Sequence, residues 1–371
     1  TLQTIVPGSP VTISKSSGSV VSSRMSIKDI TATGGATFTA NQSVNQGGNS
    51  GWTINAPAAS SYYWIGGTGS WNDGNHWSTS SGGAASGCIP SLLDDVFFDA
   101  LSFSAASQKV SLTADAVCRS MNWTGVTNNP AFEFAGSPNR SMQVYGSLTL
   151  VSGMSVSYPF SAGRWEFWSS APGNTITTAG KQMQDVSTRG DGGSWTLQDN
   201  LNAAQQVGIF YGTFTTNNFT INTGTFVSTT GCGGCNNRTV NLGSSVTNCS
   251  VQWNIFGDAG MTLNTGTSTI RTPSFTSSGN ATYYNAEMNG SGVNGVDLSG
   301  TVVFNNFDFT AGTALSFSGG LGSGSFTATN RLGLNRPGST ITFISGSTIT
   351  VNGILDLPNP GAGCSALTTL Q

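Results

Sequence analysis

"GTFTTNNFTINTGTFVS", residues 212–228, decides the fold. Apolar residues alternate with threonine and asparagine, the period-two pattern of a half-buried strand. Asn and Gly corners interrupt it, as at Asn217-Asn218 and Gly224. Both residue types tolerate the left-handed backbone that a sharp corner requires. Short strands joined by such corners suit a chain coiling round an axis, each coil pairing in parallel with the next. In this coil Phe214, Phe219, Ile221 and Phe226 are expected inward. Thr213, Thr215, Thr220 and Thr225 are expected outward.

The same form recurs along the chain, in "GSLTLVSGMSVS" (146–157), "RTVNLGSSV" (238–246), "GTVVFNNFDF" (300–309) and "STITFISGSTITVNGILDL" (339–357). Intervals of ~20–35 residues fall in the range of solenoid repeats. A β-sandwich made of hairpins is the alternative, and it calls for tight two-residue loops between strands of matched length. The single-residue corners favour an all-β, right-handed parallel β-helix. At ~4.8 Å per coil, a dozen or so coils extend roughly 60 Å.

Composition agrees. Only 8% of the 371 residues are charged, 50 are glycine, and Ser, Thr and Asn leave little room for helices. A net charge of −3 gives no reason to expect nucleic acid as a partner. No apolar run reaches the ~20 residues of a membrane helix.

Residues 62–103 lack the coil rhythm and are rich in aromatics. Within them "WIGGTGSWNDGNHW" (64–77) holds Trp64, Trp71, Trp77 and the single histidine, His76. A solenoid needs its exposed end covered, and large aromatics are mostly buried. The three tryptophans are therefore expected to cap the core; turned outward, they would form a platform for glycans.

"WIGGTGSWNDGNHWS", then "GCIPSLLDDVFFDA" and "AVCRSMNW", resemble the repeat units of SprB-like gliding-motility adhesins of Bacteroidetes. These are cell-surface proteins exported by the type 9 secretion system. Residues 13–52 resemble the end of the preceding unit in such proteins. Together the matches cover about a third of the chain. The resemblance implies an extracellular, repetitive, non-enzymatic adhesin whose partners are neighbouring repeats, the outer-membrane secretion and motility machinery, and a surface or polysaccharide it does not name. Three segments follow: 1–55 as terminal coils of a preceding solenoid, 56–125 as an aromatic cap or joint, and 126–371 as coils. The triplet Thr-Leu-Gln stands at both 1–3 and 369–371, which suggests one period of a tandem array.

β-Helices also host polysaccharide lyases and glycosidases, and glycosidases need two carboxyl groups ~5–9.5 Å apart. The sixteen acidic residues are scattered, nearly one to a coil, among them Asp185, Asp258, Asp297 and Asp308. His76 with Asp73 has no nucleophile motif beside it. "GSGVNG" (290–295) opens onto a strand, which removes the dinucleotide reading. Outward threonines suggest ice binding, but the array is irregular.

Asp94, Asp95 and Asp99 in "LLDDVFFDA" form a candidate calcium site, since clustered carboxylates repel and Ca²⁺ relieves them. The alternative is that Asp95 and Asp99 cap turns at either end of the "VFF" strand. Six cysteines stand at 88, 118, 232, 235, 249 and 364, without the spacing of a zinc site. In a Ser/Thr/Gly-rich β-protein they read as extracellular disulfides. Cys88 is expected to bridge Cys118 across a β excursion, and Cys232 to bridge Cys235 or Cys249. Cys364 has no evident partner.

Overall fold

A computed structural model describes the chain except residues 1, 7, 57–59, 137–138, 230–236, 258–259, 319, 321–323, 358–368 and 371. Nearly every regular element is a β-strand, and parallel strands stack as a β-solenoid of about 15 turns. No described helix is long and apolar enough to cross a membrane. Contacts divide the chain into two compact units. The first is Thr1–Asp199 with Phe210–Thr213 and Gly231–Arg238; the second is Asn200–Ile209, Phe214–Thr230 and Thr239–Gln371.

In the first unit, the strands up to Trp52–Asn55 pair only among themselves. Ser19–Ser23, Thr37–Asn41 and Trp52–Asn55 lie side by side in parallel, as do Leu2–Gln3, Ser26–Lys28 and Val44–Asn45. These small coils close over Ile27, Ile30 and Ala40, with Leu2, Ile13 and Trp52 packed against them.

The larger solenoid of this unit begins at Ser61–Trp64. One wall runs through Asp95–Phe97, Met121–Asn122, Leu148–Thr149 and Asn174–Thr177, in register at Val96↔Met121 and Leu148↔Ile176. A second wall holds Lys109–Ser111, Ala131–Glu133 and Ser155–Ser157. A third holds Ala116–Cys118, Ser141–Val144, Arg164–Phe167 and Gln182–Thr188. Alternation sends Val96, Met121, Leu148 and Ile176 inward, where they are fully buried.

The second unit repeats the arrangement with longer strands that bend at corners. Val246–Phe256 pairs with Thr269–Thr272 through its first half and with Ser274–Ser278 through its second. Inward positions stack from coil to coil. Ile221, Thr247, Ile270, Ala286, Phe307 and Leu332 form one file, and Phe226, Trp253, Phe275 and Val296 another.

The coil at 212–228 follows its sequence closely. Phe214, Ile221 and Phe226 are buried, and the four named threonines are half-buried on the other face. Phe219 is only half-buried, because it follows the corner that Asn217 and Asn218 turn with φ of 52° and 66°.

Candidate functional site

"WIGGTGSWNDGNHW" turns back on itself. Trp77 pairs antiparallel with Trp64, so the strand Trp77–Ser78 covers the free edge of Ser61–Trp64. Trp64, Trp71 and Trp77 are all buried. Trp77 meets Trp64 edge-on at 5.1 Å and Trp71 at 4.8 Å. Two indole N–H groups are satisfied inside: Trp64 Nε1 donates to the Gly67 carbonyl at 2.7 Å and Trp77 Nε1 to that of Trp71 at 2.8 Å. With their faces enclosed, these rings form no outward glycan platform. Their position at the edge closes the core.

The glycines of the motif have a steric cause. Gly66 and Gly67 adopt φ of 79° and 74°, which side chains resist. At Gly69 a Cβ would lie 2.2 Å from His76 Nε2. His76 accordingly serves packing: its Nδ1 lies 2.9 Å from the Ile65 carbonyl oxygen. Asp73 accepts from the Asn75 backbone N–H at 2.9 Å at the start of a short 3-10 turn. The two do not form a catalytic pair.

Asp94, Asp95 and Asp99, the carboxylates of the calcium expectation, are each engaged within the protein. Among the described residues no three His, Cys, Asp or Glu side chains converge on a metal position. Asp94 accepts from the Ser91 N–H and hydroxyl at 2.8 and 2.6 Å. Asp99 accepts from the Leu101 N–H at 2.9 Å. Asp95 points outward from its strand and forms a two-pronged ion pair with Arg119, Nε to Oδ1 being 2.7 Å. Each carboxylate already has donors, so little repulsion remains for a cation to relieve.

The Cys88–Cys118 bridge is also absent. Both are free thiols, because Cys118 faces the core from Ala116–Cys118 while Cys88 lies in an exposed loop. Cys249 is free and buried as well, so it bridges no partner. Cys232, Cys235 and Cys364 lie outside the described residues.

Sequence reading missed an outward ladder in the first unit. Arg119, Tyr145, Trp168, Arg189 and Phe210 each follow a strand and occupy the same position in successive coils, joined by backbone hydrogen bonds. Tyr145 and Trp168 stack at 6.5 Å, and the Arg189 guanidinium lies 6.0 Å from Trp168 and 5.0 Å from Phe210. The small N-terminal coils rest across it. Lys28 Nζ stands 5.7 Å from the Trp168 ring and 5.3 Å from that of Tyr211, and Gln46 donates to the Tyr145 hydroxyl at 3.4 Å. Burial pushes the Tyr145 phenol up to about 12.

Beside this ladder, stacking gathers charges that are distant in sequence. Glu166 is buried, 3.4 Å from Arg189 and 3.9 Å from Arg164, and it accepts from Trp168 Nε1 at 3.1 Å. Asp185 lies in register with Arg164, and burial raises its carboxyl above the ordinary range. The only signal in the sequence was the recurrence of large residues at coil spacing, which is irregular here.

The second unit carries amide ladders. Asn248 donates to Asn222 and Asn222 to Asn202, each at 2.8 Å; Asn330 donates to Asn306 and Asn306 to Asn285, each at 2.7 Å. Arg331 pairs with Asp308 at 3.1 Å and with Asp356 at 2.8 Å. Asp258 lies outside the described residues. No family model, curated protein or solved structure matches the chain.

Proposed function

We propose that the chain is a segment of a large extracellular surface adhesin, built of tandem solenoid units that extend a fibre for attachment and gliding. One observation carries this reading. The three blocks that resemble gliding-motility adhesin repeats come together as one aromatic closure. Phe98 of "DDVFFD" stacks on Trp123 of "AVCRSMNW" at 3.8 Å and lies 5.9 Å from Trp77 of the opening motif. A motif that closes a solenoid end belongs to architecture, and a repeated architectural joint suits a fibre.

The test is attachment. Beads coated with the purified chain are expected to adhere to glass and polysaccharide surfaces under flow, above beads coated with an unrelated β-protein. Equal retention of both would overturn the proposal.

A carbohydrate-active enzyme is the second reading, favoured by Glu166 and Asp185 standing on adjacent coils between Arg164 and Arg189. Release of reducing ends or unsaturated products from a polysaccharide panel, abolished by E166Q and by D185N, would replace the adhesin with this enzyme.

A further inference from the structure

The first unit contains a groove of about 750 Å³ whose walls come from two places. One wall is the small N-terminal coils, with Arg24, Ser26, Gln42 and Val44; the other is the approach to the closed end, with Tyr62 and Asp94 among its residues. The volume lies within the range of small-ligand sites.

Several polar side chains face the groove, Arg24 and Gln42 among them exposed. The side chains of Arg24, Gln42 and Tyr62 have no hydrogen-bond or ion-pair partner among the described residues. The Ser26 hydroxyl is buried and equally unpartnered. Arg24 and Gln42 also share one structural position. Ser23 lies beside Asn41, and the Arg24 N–H donates to the Asn41 carbonyl at 2.9 Å, so the two side chains leave successive coils at the same corner. Both backbones are left-handed, with φ of 56° and 47°, which non-glycine residues seldom adopt without cause.

We propose that this groove binds an acidic oligosaccharide. Arg24, Gln42 and Tyr62 offer donors, one of them cationic, and a sugar carboxylate is the acceptor that satisfies them. Asp94, whose Oδ2 is held by Ser91, leaves Oδ1 to accept from a sugar hydroxyl. Met25 and Val44 on one side and Leu92 and Leu93 on the other give apolar surface for the C–H faces of a ring. The inference deepens the attachment reading by naming a ligand class. It is tested on a soluble ligand, so it can fail while surface attachment stands.

The experiment is isothermal titration of the whole chain with trigalacturonate, with cellotriose as the neutral counterpart and a tripeptide of glutamate as the acidic one. Saturable binding of trigalacturonate alone is expected, weakening with added salt. R24Q is expected to weaken it about tenfold or more, and Y62F several-fold. Gln42 already occupies the equivalent corner, so glutamine at position 24 keeps the fold; the far-ultraviolet spectrum and unfolding midpoint check this. No saturable binding, or equal binding by R24Q, would overturn the site. Equal binding of cellotriose or of the peptide would overturn the ligand class.

Discussion

The imidazole of His76 lies flat on the indole of Trp64, their centroids 4.8 Å apart and their planes 9° apart. The contact puts the only histidine against the first tryptophan of the closing motif, with Gly69 bare beneath the ring. The motif's odd composition becomes one packing arrangement: large rings to fill the end, and glycines where no Cβ fits.

Adding that Cβ tests the arrangement. Gly69→Ala should cost about 1–3 kcal/mol, the usual range for overpacking. Removing the obstructing ring should recover much of the loss, so the G69A/H76A double variant is expected to be less destabilised than the two single effects added together. Denaturant unfolding of all four proteins measures the coupling. Simple additivity would show that the stacked ring does not constrain Gly69.

The closure itself should dominate the stability of the first unit. Trp77→Ala removes a buried ring that contacts Trp64, Trp71 and Phe98, and a loss of about 3–5 kcal/mol is expected. Tryptophan fluorescence during urea unfolding reports it. A change below about 1 kcal/mol would mean that the hairpin is dispensable.

Thiol reactivity should separate the three described cysteines. Burial raises the Cys118 thiol well above its ordinary value and pushes Cys249 up to about 12, so neither forms thiolate near neutrality. In native conditions iodoacetamide should label Cys88, and label Cys118 and Cys249 only after unfolding. Peptide mapping without reductant reads the outcome. A disulfide-linked peptide containing Cys88 and Cys118 would contradict the structure.

Asp185 gives a pH signature. Burial holds its carboxyl above the ordinary value of 3.8, so the folded chain keeps the proton more tightly than the unfolded chain. Its stabilising contribution is whole below 3.8 and is lost as pH rises through the raised native value. Relative to wild type, D185N should therefore gain stability as pH rises through that window and then level off. Urea unfolding across the acidic range gives the difference. A gain that grows as pH falls would reverse the sign and show that Arg164 and Arg189, not burial, govern the group.

Within the second unit, Asn306 both donates to Asn285 and accepts from Asn330. Truncation to alanine breaks two side-chain bonds and leaves partners wanting, so about 1–3 kcal/mol should be lost. Asn330→Ala, which breaks the one bond to Asn306, should cost less. Equal effects would show that the Asn306–Asn285 bond contributes nothing to stability.

Local chemistry decided much of this protein before any tertiary contact. Period-two alternation with Asn and Gly corners dictates strands that turn without hairpins, and residues 212–228 place Phe214, Ile221 and Phe226 in the core as their pattern requires. The same logic buries Trp64, Trp71 and Trp77, because large rings without an alternating partner strand seek a core end. What local pattern does not contain is the offset between coils. Stacking sets Arg189 beside Trp168 and Glu166 and leaves Arg24 and Gln42 at one corner, and unequal coil lengths hide both alignments from any fixed period. Strand direction likewise parted Cys88 from Cys118, since one turned into the core while the other stayed in a loop. Short-range sterics and alternation act within a coil and are legible in one segment; charge pairing and aromatic stacking act between coils and exist only once the register is set.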